Sequence, residues 1–305
     1  AYNLQLVKQF DGEVTLAEVN QSVGNIITDK NQVFVMYGPD KEGFVIPSES
    51  EIEATVLAAQ KKQYEPYQEE KIPSTLMSTL PKPGKIVSEK PYGKFGMTEI
   101  TLSNGMKVYV KPTDYQADQV MMSMRAEGGT SLYGNGDIPN FSLLTSAITE
   151  AGVGDFSATA LRKALAGKSI RLTPSISSEG QRIAGSSSVK DMETMLQLAH
   201  LYFMAPRKDS VAFEGLKNRT LSFLKNRNAS SKVVYNDSLS AVLYDHNLRM
   251  APVTGEVLAK ADYGRIMEIY RERFSDASNF KTVFIGKIDM AELRPLLCQY
   301  LATLP

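Results

Sequence analysis

Hydrophobic and polar positions divide the chain into segments of two different periods. Leu16, Val19, Val23, Ile26 and Ile27 recur at helical spacing, so they share one face of a helix. Thr15 and Glu18 stand where a capping box would open that helix. The run QVFVMYG at 32–38 reads as a strand, and PSESEIEATVLAAQKKQYEPYQ at 47–68 as a second, more polar helix starting at Pro47 and Ser48. Residues 1–70 therefore read helix, strand, helix. Next, at 71–95, comes a stretch of little periodicity that holds Pro73, Pro81, Pro83 and Pro91. Such a composition predicts a linker over a surface and a domain boundary.

Beyond 95 the period changes to two. MTEITLS and MKVYVKP flank Asn104-Gly105, which predicts a tight hairpin with positive φ at both turn residues. Met106, Val108 and Val110 alternate with Lys107, Tyr109 and Lys111, so one face is buried and one is wet. QVMMSMRAEGG at 119–129 is a third strand. DIPNFSLLTSAITEAG at 137–152 reads as one helix with Pro139 near its start and Gly152 at its end. SATALRKALAG at 157–167 is another, capped by Ser157 and stopped by Gly167. Two strands at 169–177 and 181–189 precede helices at 190–204 and 210–227. The end holds a helix within 260–274, the strand FKTVFIG and a helix at 290–304. Adjacent strands and adjacent helices predict an α+β fold, an antiparallel sheet with helices packed on one face. ITDKNQVFVMYG and FSDASNFKTVFIG also form a faint repeat.

Composition adds limits. The 305 residues carry 34 Lys+Arg against 34 Asp+Glu, with 43% hydrophobic content, enough for one large or two modest cores. That balance argues against a nucleic-acid clamp, which needs a concentrated basic face. The most basic stretch, KNRTLSFLKNR at 217–227, reads as the solvated face of an amphipathic helix. No run reaches the roughly 18 to 20 apolar residues of a membrane span. The single Cys298, set among leucines, reads as a buried structural thiol. The start AYNLQLVKQF, without Met or a signal-peptide pattern, and the end CQYLATLP are expected to be cuts within a longer protein.

Catalytic chemistry is hard to find. A zinc site of the inverted His-x-x-Glu-His type needs two His at i and i+4 with the general-base Glu at i+3 on one helical face. The chain has two histidines, His200 and His246, far apart and without such neighbours. His200 borders the apolar stripe Met192, Met195, Leu196, Ala199 and Phe203 and reads as structural; His246 reads as a loop residue near Asp245. GPDKEGF lacks a phosphate-loop ending, and GSSSVKD lacks a nucleophile elbow. Ser188 with Asp191 reads as a helix start, and Glu69 with Glu70 as solvated acids. No residue is assigned a catalytic, cofactor-binding or metal-binding role.

The order of motifs carries a resemblance. LSNGMKVYVKPTD, GGTSLYG, the helix at 137–152, GDFSATALRKALAGKSIRLTPSIS, IAGSSSVKDMETMLQLAHLYFMAPRKD, AFEGLKNR and VFIGKIDMAELRPLLCQYLATLP together resemble the pitrilysin/insulinase family of zinc metallopeptidases over about 96–305. The first segment is similar to the junction between the second and third domains of four-domain bacterial members. The resemblance implies a metallopeptidase-type α+β domain of the pitrilysin and mitochondrial-processing-peptidase kind. It also implies a third domain that is degenerate, because Asn140, Leu143 and Leu144 stand where the family places His, Glu and His. In the third-ligand region Glu214 is present, with no further acid until Asp237. By the same resemblance the parent is a protease with zinc upstream of residue 1, this chain holds no cofactor, and this piece walls a chamber for peptide or unfolded protein. Its partners would be the other domains of the same polypeptide, with no nucleic acid and no membrane span, in the periplasm or cell envelope. A non-proteolytic scaffold of the same fold, like the respiratory-complex core relatives, is the alternative.

Overall fold

The computed structural model describes residues 2–10, 14–26, 28, 30–38, 43, 45–63, 65, 73, 75–227 and 229–305, with Lys94 described by its backbone alone. Ile27, Glu69, Glu70 and positions 71, 72 and 74 of the expected linker lie outside the described residues. The chain forms two compact units, Ala1–Gln68 and Glu69–Pro305.

In the first unit three helices are described: α1 (Tyr2–Phe10), α2 (Leu16–Ile26) and α3 (Glu49–Lys61). Reciprocal capping boxes open two of them. The Thr15 N–H donates to Glu18 Oε2 at 2.7 Å and the Glu18 N–H to Thr15 Oγ1 at 3.3 Å. Ser48 and Glu51 repeat the arrangement at α3. The strand expected at 32–38 is not formed: these residues have no ladder partner among the described residues. A strand needs a neighbour to take its N–H and C=O groups, and QVFVMYG has none here. Val33, Phe34, Val35, Met36 and Tyr37 are all exposed, and α1, α2 and α3 contain no buried residue.

The second unit is built on a seven-stranded sheet of order β1-β2-β3-β7-β4-β6-β5. The strands are β1 (Ile86–Tyr92), β2 (Met97–Leu102), β3 (Lys107–Pro112), β4 (Val120–Glu127), β5 (Ile170–Ile176), β6 (Gly180–Ser187) and β7 (Lys281–Gly286). All neighbours are antiparallel except β3 and β7. Alternation sets one face inward: Ile100, Leu102, Val108, Val110, Val120, Met122, Met124, Ile183 and Phe284 are buried. Against that face pack α4 (Ile138–Phe141), α5 (Leu144–Ala151), α6 (Ala158–Ala164), α7 (Met192–Met204) and, further along, α8 (Ser210–Arg227), α10 (Gly255–Ala259), α11 (Tyr263–Arg273) and α12 (Met290–Leu296), with α9 (Ser231–Leu243) following α8 in the chain and outside the core. Of these helices α9 contributes least, since it buries no residue, while α8 buries Phe213 and Leu216.

Two expectations need correction. The linker at 71–95 contains β1, an edge strand paired to β2 from Ile86↔Leu102 to Tyr92↔Met97. Pro91 misled the reading, because proline is excluded from central strands yet tolerated at an edge. The hairpin at Asn104-Gly105 is not a two-residue turn. Leu102 faces Met106 across a three-residue loop, with Leu102 N–H donating to Met106 O at 3.0 Å and Gly105 N–H to Leu102 O at 2.9 Å. Of the two turn residues only Gly105 has positive φ, at 87°. Asn104 is thereby free to act outward. Its Nδ2 donates to Leu301 O at 2.9 Å and Leu304 O at 3.0 Å, while its Oδ1 accepts from Met106 N at 3.2 Å. One side chain thus ties the β2–β3 turn to the C-terminal segment beyond α12.

Asn104→Ala removes the side-chain donor to Leu304 O and one of two donors to Leu301 O, which keeps the Leu304 N–H at 3.3 Å, and urea unfolding is expected to show a loss of about 1–3 kcal/mol. Ser103→Ala, which removes an exposed hydroxyl contact to Lys85 N, is expected to cost clearly less.

Candidate functional site

The end of β4 leads into the segment where a catalytic helix would stand. Gly128 and Gly129 have φ of 120° and 55°, and a Cβ at Gly129 would lie 2.2 Å from Ser177 O. Only glycine allows the chain to turn this close to the β5–β6 connection. The helix expected at 137–152 is then two helices, α4 and α5, separated at 142–143. At the break the chain tightens to i→i+3 bonding, with Leu143 N–H donating to Asn140 O at 3.3 Å.

The side chains here are committed to packing. Leu143 and Leu144 are 2% and 1% exposed, Ile148 is fully buried, and Phe141 is half-buried. Asn140, 5% exposed, faces α11. Its Oδ1 accepts from Asp262 N at 2.8 Å and its Nδ2 donates to Asp137 Oδ1 at 3.4 Å. Asp262 is the N-cap of α11, its own Oδ1 taking the Arg265 N–H at 2.6 Å, so Asn140 buttresses a helix start. Arg265 from α11 reaches back and grips Asp137 with two nitrogens, Nε donating to Oδ1 at 2.9 Å and Nη2 to Oδ2 at 3.0 Å. That guanidinium holds the Asp137 carboxyl below its ordinary pKa.

Beside this pair sits Tyr133, from the loop after Gly129. Its hydroxyl donates to Glu272 Oε2 at 2.7 Å and accepts from Arg273 Nε at 2.9 Å. The guanidinium groups of Arg265 and Arg273 lie 5.5 and 5.4 Å from its ring centre. Burial, with the Glu272 hydrogen bond second, pushes the Tyr133 pKa up to about 12. Arg249 donates to Thr130 O at 3.1 Å and to Tyr133 O, and stacks 5.6 Å from the Phe141 ring. Sequence reasoning did not find this cluster. Its members come from distant segments with no shared spacing, and GGTSLYG was its one visible part.

The residues singled out from sequence are dispersed. His200 is buried in α7, its Nδ1 2.9 Å from Tyr300 O, so that nitrogen carries the proton and donates. Burial holds its pKa below the usual 6.5, with the bond to Tyr300 working against that shift. His246 is exposed, has φ of 53°, and donates its N–H to Ala241 O at 2.8 Å where α9 ends. Cys298 is half-buried. Glu214 is exposed on α8. Ser188 Oγ donates to Asp191 Oδ2 at 2.6 Å, and the same oxygen accepts Ser169 N at 2.9 Å, ahead of α7. In the basic stretch, Lys217 Nζ binds Ala261 O at 3.0 Å, Arg219 pairs with Glu150 and Arg227 with Asp237.

An amide and two leucines do not form a zinc donor set, since Zn²⁺ takes Cys, His and carboxylate ligands. Asn140, Leu143 and Leu144 therefore do not fit the metal that the resemblance places there. Among the described residues no group of three His, Cys, Asp or Glu is arranged to hold a metal ion, and no helix is long and apolar enough to cross a membrane.

No family model matches the sequence. The chain is 25% identical over 307 aligned positions to a zinc protease PQQL-like protein of Arabidopsis thaliana, covering 100% of this chain and 29% of the relative. It superposes on the periplasmic protease PqqL of Escherichia coli with TM-score 0.67 and 18% identity, over 85% of this chain and 28% of that one. It also superposes on a peptidase M16 inactive domain from Pseudomonas fluorescens with TM-score 0.56 and 16% identity, over 68% and 51%. The resemblance to zinc proteases of the pitrilysin/insulinase type holds along the whole chain, and the fold is that of their α+β peptidase domains. The chain spans 29% and 32% of the length of the curated relatives it matches.

Asn140→Ala removes the acceptor of the Asp262 N–H and the donor to Asp137 and is expected to lower stability by about 1 kcal/mol in urea unfolding. His200 is held neutral by burial, so the unfolded chain binds the extra proton more readily. Stability should fall as pH drops from 6.5 towards the lower folded pKa, and His200→Gln should flatten that slope.

Proposed function

We propose that this chain is a non-catalytic part of a zinc-dependent metalloendopeptidase, in which unit Glu69–Pro305 forms wall of the chamber that encloses peptide or unfolded-protein substrate. The observation that carries the reading is Asn140. At the position of a metal-binding His stands a buried amide whose oxygen is spent on Asp262 N, and the positions of the Glu and second His are core leucines. The zinc then lies in another domain, upstream of residue 1, and the partners of this chain are the other domains of the same polypeptide.

Residues 1–70 are read as the closing part of a preceding related domain. The support is physical: α1, α2 and α3 bury nothing although α1 and α2 carry well-formed apolar stripes, which is how a piece looks without the rest of its core. The periplasmic E. coli protease with this fold supports an exported, periplasmic or envelope location for the parent.

The test is zinc by elemental analysis on the purified 305-residue chain after dialysis against trace zinc, with a fluorogenic peptide digest on the same sample. The expected result is metal well below stoichiometric and no zinc-dependent cleavage. One zinc per chain with chelator-sensitive cleavage overturns the reading.

A further inference from the structure

The sheet face turned away from the helices carries an arrangement that folding does not explain. Lys107 of β3 stands beside Lys281 of β7, Lys281 beside Arg125 of β4, and Arg125 beside Arg182 of β6. Four cations therefore line one row across four neighbouring strands, all of them exposed. Like charges on directly opposed positions cost a sheet stability. Among the described residues none of the four has a carboxylate within ion-pair distance; Arg182 Nε donates to Ser123 Oγ at 3.1 Å. Carboxylates stand near the row without pairing to it among the described residues: Glu99 is buried and bound to Lys90 at 3.3 Å, while Glu127, Glu272 and Asp276 line a pocket shared with Arg125 and Lys281. Lys111 and Arg171 add further positive charge on the same face.

Beside the row lies a shallow trough of about 560 Å³, with Met121, Val283, Ile285 and Ala184 in its lining. We propose that this face docks an acidic amphipathic helix of a partner polypeptide, its carboxylates on the Lys107–Lys281–Arg125–Arg182 row and its apolar stripe in the trough. Three arguments select that occupant. Strands lie about 4.8 Å apart, so the cations repeat close to the 5.4 Å pitch at which a helix presents side chains on one face. The inner strands have spent their backbone groups on each other, so the face offers side chains alone, and a partner must satisfy its own backbone, as a helix does. A cationic row beside an apolar trough complements carboxylates flanking an apolar stripe in both charge and polarity. The inference is independent of whether the wider protein is a protease.

The test uses the purified chain and two labelled helical peptides of equal length, one with a Leu stripe flanked by Glu and one with Lys at every Glu position. In fluorescence anisotropy the acidic peptide is expected to bind about tenfold or more tightly than its counterpart, and to weaken about tenfold between low and roughly 0.3 M NaCl. Arg125→Glu/Lys281→Glu is expected to lower its affinity about tenfold or more. Arg125→Gln/Lys281→Gln gives a smaller loss of the same sign, with a melting temperature unchanged or raised because repulsion is relieved. Equal binding of both peptides, no loss in a variant that melts like the parent, or tighter binding of a DNA duplex than of the acidic peptide would overturn the proposal.

Discussion

The second unit depends on where β7 goes. The strand is reached at Lys281, long after β3 has ended at Pro112, yet it inserts between β3 and β4 at the centre of the sheet. Without it β1-β2-β3 and β4-β6-β5 are two separate ribbons with open edges, each exposing a row of unpaired N–H and C=O groups. With it, Thr282 and Phe284 enter the core fully buried, between Val108 and Val110 on one side and Met122 and Met124 on the other. Asn104 then holds the C-terminal segment onto the β2–β3 turn. A sheet closed by its last strand makes folding of this unit a long-range, cooperative event.

The same closure governs the helix layer. α11 lies just before β7 in the chain, and its N-terminus is bound by Asn140 while its Arg265, Glu272 and Arg273 surround Asp137 and Tyr133. Where a zinc peptidase would keep a metal, this chain has a hydrogen-bonded junction between α4 and α11. The polar groups of the junction are largely satisfied by one another, which makes it suited to holding shape and unsuited to taking up an ion. Rigidity of that kind suits the wall proposed above, and a reactive centre needs unspent donors.

Much of this was legible in the residues. Period-two alternation placed β2, β3, β4, β5, β6 and β7, and capping residues such as Thr15, Ser48 and Ser157 placed helix starts, because both signals are local. The absence of a His-x-x-Glu-His motif was equally plain. Three features were not legible for a common reason, that the deciding partner is remote. Ile86–Tyr92 became a strand because β2 offered an edge, in spite of Pro91. Residues 32–38 had strand composition and no neighbour to pair with among the described residues. Tyr133, Arg249, Arg265 and Arg273 meet through tertiary folding, and nothing in their spacing announces it. The one-helix reading of 137–152 failed more narrowly, at a single tightened turn.

The central claim is that the residues at the metal position have become part of the core. It is tested most directly by restoring the motif in Asn140→His/Leu143→Glu/Leu144→His and measuring bound zinc together with cooperative urea unfolding. The account predicts that the variant loses its cooperative transition and takes up no stoichiometric zinc, because a carboxylate and an imidazole replace leucines that are 2% and 1% exposed. A folded variant holding one zinc per chain would contradict it, and would mean that the site is dormant rather than built over.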